Sequence, residues 1–444
     1  MLPNAIMSKS YLPVPNPTPS YWLSLEKNDS FSSYKSSEKV PERTDILIIG
    51  SGYAGSATAF HLMNDNPGLD VTLLEARTLC SGATGRNGGH LKPYFHRLYS
   101  EYEKEHGQYV AGQVVNSEFE HLYEIKNLVE KENIDCDFVL TRACDVYRDS
   151  KRVENDLIAF EKLLKNPYIK DEVKNSIQLV QGDHVANLSK VPDAKICFTY
   201  PAAHIWPWKL MTALLKKSVK KGLKLYANTP VLEVVQDAVN YKVVTLTGTI
   251  IAEKIIFCTN GYTKSILKPF EEAIIPVRGV ATHIKPNSFE IAPQLPNTYG
   301  LFSRAMLDSD YLINRADGGV VVGGASVLMV KSNGDDSEIF DDVDDSKVPK
   351  NVENYFQNYM NKNFTTWKDF KTVNDYIWSG IMGFSKDRFP YVGELDSLGL
   401  NNAYIVAGFS GHGMPRVYLS AKAIAKCALN GKSIQEVGGT CLQK

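Results

Sequence analysis

A chain of 444 residues, 43% apolar and 22% charged, is long enough for two or three globular domains and too apolar to stay disordered. Its 49 basic and 50 acidic side chains sum to a formal charge of −1, so there is no basic field of the kind a general nucleic-acid binder needs. No apolar run reaches the roughly 20 residues that span a bilayer, and Met1 to Ser20, rich in Pro, Asn and Ser, lacks a secretory core, which gives the expectation of a cytoplasmic protein without membrane or nucleic-acid partners.

Residues 1–43 read as an irregular leader with little to bury, pinned to the body by Tyr21, Trp22 and Leu23. Order begins at Thr44. Asp45–Ile49 is a continuous apolar run that fits a strand covered on both faces. A Gly-rich turn, an Ala-rich helix over Tyr53–Met63 and a second apolar strand over Val71–Leu74 complete a β-turn-α-β unit. Residues 100–135 and Lys151–Leu164 have helical spacing, with a strand over Asp137–Arg148 between them. Trp208–Val219 is an amphipathic helix with Leu210, Met211, Leu214, Leu215 and Val219 near one face. Short strands follow over Leu223–Cys258, and a second strand-rich block covers Ile274–Val330. The acidic stretch Ser332–Ser346 carries Asp335, Asp336, Glu338, Asp341, Asp342, Asp344 and Asp345. It lacks the calcium-loop spacing and reads as a solvated loop. The last block, Tyr404–Leu429, is again strand, Gly-rich turn and helix. Seven cysteines without a C-x-x-C pair read as reduced thiols, with no structural metal.

The most informative segment is Gly50-Ser51-Gly52-Tyr53-Ala54-Gly55, a G-x-G-x-x-G run between a strand and a helix. Gly50 permits the tight turn, Gly52 lets the backbone approach a pyrophosphate, and Gly55 lets helix and strand pack closely. The helix start offers free N–H groups and partial positive charge to phosphate. Glu75 ends the next strand, 25 residues after Gly50, where a carboxylate suits ribose hydroxyls. The dinucleotide is NAD or FAD on this motif alone. A second glycine-rich segment follows, Ser81-Gly82-Ala83-Thr84-Gly85-Arg86-Asn87-Gly88-Gly89-His90-Leu91-Lys92-Pro93. Its glycines let the backbone wrap a flat ring system, and Arg86 suits a phosphate. The third is Ala407-Gly408-Phe409-Ser410-Gly411-His412-Gly413-Met414, ahead of a helix whose positive end favours charge on a bound ring.

These segments resemble the D-amino-acid-oxidase superfamily of FAD proteins, and within it the γ-glutamylputrescine-oxidase-like members, which share the G-R-N-G-G run. The resemblance extends from about residue 20 to 430 through Ser20-Tyr21-Trp22, Thr229-Pro230-Val231, Ile255 to Gly261, Ile275 to Gly279, Tyr311 to Ile313, Gly323-Gly324, and Trp378-Ser379-Gly380 with Ser385, Asp387, Arg388, Pro390 and Gly393. It implies an α/β fold: a Rossmann-like FAD/NAD(P)-binding domain with an inserted mixed-sheet α+β substrate domain. The FAD-binding segments would be 44–100, 208–273 and 371–444, and the substrate domain 101–207 and 274–370. The implied cofactor contacts are Gly50, Gly52, Tyr53, Ala54 and Gly55; Glu75, Ala76 and Arg77; Gly82, Ala83, Thr84, Arg86, Asn87, Gly88, Gly89 and His90; Val231, Thr259 and Gly261; and Gly408, Gly411, His412, Gly413 and Met414.

The implied reaction oxidises a CH–NH group of a small amine or amino-acid derivative, by hydride transfer to flavin N5, with dioxygen as acceptor. The substrate nitrogen must be neutral, and nearby basic groups can lower its pKa; His90, Lys92 and His412 are the catalytic candidates. His204-Ile205-Trp206-Pro207-Trp208 is either an aromatic wall for a cation or a set of core staples. Tyr311, Arg315 and Arg304 are possible carboxylate contacts, although a surface Arg is the commoner case. Three departures from the family pattern matter. Ile381 and Met382 stand where D-amino-acid oxidases place a carboxylate-gripping Arg. No Cys lies between 259 and 426, so the FAD is expected to be noncovalent. The strand Gly319 to Gly323 lacks the Lys that speeds the dioxygen reaction in some relatives, which leaves oxidase and dehydrogenase both open. The alternatives are an NAD-type dehydrogenase and a flavin-binding regulatory protein without turnover.

Overall fold

The computed structural model describes residues 11–66, 68–94, 99–237, 239–287, 292–303, 309–329 and 339–437. Two sheets organise it. In the first, the strands run in the order Tyr391–Glu394, Ala403–Ala407, Gly248–Phe257, Arg43–Ile49, Val71–Leu74 and Lys224–Tyr226. Neighbours from Ala403–Ala407 onward are parallel, which is why these strands read as unbroken apolar runs. Alternate residues face opposite layers. Ile46, Ile48 and Leu73 share a core with helices Tyr53–Asp65, Pro207–Lys220 and Val417–Asn430. Leu47, Ile49 and Leu74 face the hairpin Val231–Asp237 and Asn240–Thr245. Gly55 permits the close seat of the first helix, since a Cβ there would fall 1.8 Å from the Gly50 carbonyl oxygen.

The second sheet runs Thr372–Phe384, Ile275–Pro286, Val320–Gly324, Ser309–Asn314, Thr298–Phe302, Val139–Tyr147, Ile196–His204 and His90–Leu91. It is antiparallel except for the pair Thr298–Phe302 and Val139–Tyr147. Strand Thr372–Phe384, placed with the cofactor segment in the sequence reading, hydrogen-bonds along Ile275–Pro286 and lies in this sheet. His90–Leu91 pairs with Ala203 and His204 at its other end, so the chain crosses from one sheet to the other just after the second glycine-rich segment. The long helix Tyr99–Glu132 breaks at Gly107, where φ is +82°.

Two expectations change. The leader is more than a loosely pinned tail. Trp22 is fully buried and its indole N–H donates to the Asn87 carbonyl. Ser20 Oγ donates to the Gly85 carbonyl at 2.6 Å, and Trp206 Nε1 to the Trp22 carbonyl at 2.8 Å. The acidic stretch is not simply a solvated loop, because opposite charges across the chain capture its second half. Asp341 pairs with Lys264 at 2.6 Å, Asp342 with Arg278 at 2.5 Å, and fully buried Asp345 with Arg77 at 3.0 Å. Asp335, Asp336 and Glu338 lie outside the described residues, as does Arg304. Among the described residues no helix is long and apolar enough to cross a membrane.

Candidate active site

All three glycine-rich segments meet at one cavity of about 1060 Å³. Gly50, Gly52, Tyr53, Ala54, Glu75, Ala76, Arg77, Val231 and Thr259 line it. So do Gly82, Ala83, Thr84, Arg86, Asn87, Gly88, His90 and Lys92, and from the third segment Gly411, His412, Gly413 and Met414. Gly55, Gly89, Gly261 and Gly408 do not line it. They are packing positions, against the Gly50 carbonyl, Trp22 with Ile205, Met382 with Ile381, and Ile274 with Tyr391 respectively.

The end against the first sheet is built from backbone. Gly50 has φ +103°, and a Cβ there would lie 2.6 Å from the Cys258 carbonyl, so only glycine makes this turn. Glu75 accepts from the Ser51 N–H at 2.9 Å and Oγ at 2.7 Å, and from the Arg77 N–H at 3.0 Å. An ionised carboxylate has about four acceptor positions, which leaves capacity for ribose hydroxyls. The Tyr53 N–H, first in its helix, is already taken by Thr84 Oγ1 at 2.7 Å. Arg86 lines the cavity and also braces the chain. Its Nε donates to the Ser81 carbonyl and Nη1 to the Ser379 carbonyl, both at 2.9 Å, and Asp345 lies at 3.4 Å. These bonds tie the second segment to strand Thr372–Phe384, and burial pushes the guanidinium down to about 10. Arg77, too, is held by Asp345 through two 3.0 Å hydrogen bonds.

The end against the second sheet is built from side chains. Tyr94, Tyr102, Phe302, Tyr311 and Phe384 give it aromatic walls. Tyr311 lies so close to Gly88 that a Cβ there would come within 1.9 Å of the ring; burial pushes its phenol up to about 12. Lys92 is buried in an ion pair with Asp145 at 2.6 Å, and Tyr200 donates to the other Asp145 oxygen at 2.6 Å. His90 Nε2 lies 2.8 Å from Thr298 Oγ1; burial, then Lys92, push its imidazole well down. His412 Nε2 lies 3.0 Å from Glu118 Oε2; burial pushes this imidazole down while Glu118 opposes. Burial works to raise Glu118, but His412 and Arg416 beside it win and hold the carboxyl at about 2.

Sequence reasoning missed Glu118, Asp145, Asp345 and Asn260. Asp145 is a lone carboxylate in an apolar strand, whereas Glu118 is one of several acids in a long helix and Asp345 one of several in an acidic stretch, so neither stands out locally. Asn260, at φ +42°, accepts from the N–H groups of Gly408 and Phe409 at 3.1 and 3.4 Å and so holds the third loop. Arg315 is neither at the surface nor at the cavity. It is buried over Trp22 and Trp206, 4.9 and 5.3 Å from their rings, and pairs with Asp137 at 2.6 Å. Trp206 and Trp208 are core staples, the latter donating to the Leu79 carbonyl at 3.2 Å.

Known proteins share this plan. The sequence pattern of the DAO family, FAD dependent oxidoreductase, matches residues 45–427. The chain belongs to this family. Among curated relatives, γ-glutamylputrescine oxidoreductase of Escherichia coli is 26% identical over 391 residues, covering 86% of this chain and 83% of the relative. The probable oxidoreductase OrdL of Haemophilus influenzae is 25% identical over 398 residues, covering 87% and 83%. Two solved structures share the fold. L-proline dehydrogenase from P. horikoshii has a TM-score of 0.70 at 20% identity, over 88% of this chain and 95% of that one. Glycine oxidase from Geobacillus kaustophilus has a TM-score of 0.68 at 17% identity, over 88% and 96%. Membership resolves what the first motif left open: this is an FAD-dependent oxidoreductase, not an NAD-type dehydrogenase. The cavity fits that group. It slightly exceeds the roughly 300–1,000 Å³ of small-ligand sites, and it joins a backbone cradle, with a carboxylate that has an acceptor position to spare, to an aromatic chamber.

Proposed function

We propose that the chain oxidises a CH–NH group of a small amine or amino-acid derivative in the aromatic chamber, with FAD bound noncovalently. The observation that carries this reading is the continuity of the cavity. One end offers backbone and a carboxylate to a dinucleotide. The other offers aromatic faces to an apolar or cationic amine, two imidazoles, His90 and His412, and the Lys92 ammonium paired with Asp145. Bound FAD supplies the electron-pair acceptor, flavin N5 taking hydride from the carbon next to nitrogen. The protein holds the amine, excludes water and manages its proton. The relatives fit this reading, since the curated one named above carries an amine in its name. Arg77 and Arg86 act here as braces of the loops, and phosphate is left to the helix start at Gly52 to Ala54.

An anaerobic panel of amines and amino acids tests it. At least one is expected to bleach the visible flavin band of the holoenzyme. If none does so while dithionite does, the chain is a flavin-binding protein without this turnover. Dioxygen is the acceptor in this reading. Glycine oxidase and L-proline dehydrogenase share the fold, so the deciding measurement is hydrogen peroxide formed one-for-one with amine consumed in air. Acid precipitation is expected to leave all flavin in the supernatant; colour in the pellet would contradict noncovalent binding.

A further inference from the structure

Glu118 lies within helix Tyr99–Glu132 with its side chain only 1% exposed. An isolated carboxylate so deeply buried would take up a proton. Here it is satisfied from three sides. Oε1 accepts from Arg416 Nε at 2.7 Å; Oε2 accepts the Tyr94 backbone N–H at 2.5 Å and faces His412 Nε2 at 3.0 Å. Arg416 is itself buried and donates to the Tyr102 hydroxyl at 3.2 Å. Glu118 is thus satisfied within the protein. Arg416, Tyr94 and Tyr102 line the cavity as well, but of the three charged or titratable partners His412 is the open one, its side chain 21% exposed against 1% for Arg416 and for Glu118.

An ionised carboxylate only accepts hydrogen bonds. With Arg416 keeping Glu118 ionised, a neutral His412 must carry its hydrogen on Nε2, and Nδ1 keeps its lone pair. We propose that Glu118 is a positioning residue: it turns the His412 N–H away from the cavity, so that Nδ1 takes a proton from an entering ammonium group. This rests on the amine-oxidising reading above. In the step, an N–H bond of the ammonium breaks and one forms at Nδ1. The positive charge passes to an imidazole beside the Glu118 carboxylate, and the substrate nitrogen keeps the lone pair that oxidation requires. The other charged or titratable groups around His412 are Arg416, Lys92, Tyr94, His121 and His90. Arg416 and Lys92 each face a carboxylate, which leaves the two neighbouring histidines neutral and His412 the base in contact with Glu118.

The Glu118→Gln variant separates orientation from charge. The amide oxygen is needed at Arg416, so its NH₂ takes the Oε2 position, where it faces His412, favours the opposite tautomer and leaves the Tyr94 N–H without its acceptor. Spectra of ¹⁵N-histidine-labelled holoenzyme, with the His412 signal identified by its loss in His412→Gln, are expected to show hydrogen on Nε2 in the natural protein. In E118Q the hydrogen moves to Nδ1, and in Glu118→Asp it stays on Nε2. Hydrogen on Nδ1 in the natural protein, or an unchanged E118Q spectrum, would overturn the proposal. With an amine that reduces the natural enzyme, E118Q is expected to slow anaerobic flavin reduction on the order of 10²-fold at unchanged flavin content. The acid limb of its pH profile moves to lower pH, because a raising charge beside His412 is gone. Recovery in E118D is expected, and reduction by E118Q at the natural rate and pH profile would refute the proposal. If E118Q fails to fold, the natural protein's spectrum and the rate of H412Q decide. If no amine reduces the natural enzyme, the amine reading fails, and the spectra still judge the Glu118–His412 pair.

Discussion

The two ends of the cavity are made of different material. Against the first sheet the walls are main chain: Gly50, Gly52 and Ala54 at a helix start, shaped by where a Cβ cannot go. Against the second sheet they are side chains held by buried ion pairs. Lys92 with Asp145, and His412 with Glu118 and Arg416, draw on residues far apart in sequence. A backbone cradle suits a cofactor whose phosphates and ribose do not change. A chamber of paired side chains can be altered one pair at a time, which suits a variable substrate. Substitutions at the two ends should therefore fail differently.

The largest expected effect is at the backbone end. Gly55→Val pushes helix Tyr53–Asp65 off the Gly50 carbonyl, which a Cβ would meet at 1.8 Å. A loss of more than about 4 kcal/mol is expected, seen as failure to purify a folded yellow protein; a native melting curve with full flavin would break the contrast. Next comes Lys92→Met, which removes the cation beside fully buried Asp145. Breaking such a pair costs about 3 to 5 kcal/mol. Urea unfolding should register that loss, and a Lys92→Met/Asp145→Leu double variant should recover much of it, with flavin still bound. Asp345→Asn releases Arg77 and Arg86 together. We expect about 2 kcal/mol of lost stability and weaker FAD binding, measured by titrating the apoprotein. Unchanged affinity would remove Asp345 from the cofactor end of the account.

The last effect is graded in pH. His204 and His121 are buried neutral, pushed by burial to about 4 and about 3 from an ordinary 6.5. The unfolded chain takes up their protons first. Their contribution is therefore complete above pH 6.5 and falls away from there towards pH 4, by up to about 1.4 kcal/mol per pH unit for each. Glu118, held at about 2, adds a loss that begins near its ordinary 4.5 and runs to lower pH. Melting temperatures across this range check the sign; a protein that grows more stable as pH falls from 6.5 to 4 would contradict it.

The same contrast explains what could be read from the sequence. Glycine spacing, apolar runs and the carboxylate at Glu75 are local features, and the parallel sheet and its first loop follow from them. The second sheet was harder. Strand Thr372–Phe384 reads with the cofactor segment, yet it pairs with Ile275–Pro286 in the second sheet, because pairing partners are not written locally. Asp345 looked like one more acid in a solvated stretch, since nothing within the stretch shows that Arg77 waits for it. Glu118 sits in a helix whose apolar spacing was legible while its partners Arg416 and His412 lie almost three hundred residues away. Arg86 braces its loop through the Ser81 and Ser379 carbonyls, and the second of these, almost three hundred residues away, leaves no trace in the local sequence.

A structure of the FAD-loaded chain addresses the central claim most directly. The account predicts pyrophosphate at Gly50 to Ala54, ribose at Glu75, and the ring system bounded by Gly88, His412 and Tyr311, with space left beside it for an amine. A ring system outside that chamber, or a chamber without room for a second molecule once the cofactor is seated, would contradict it.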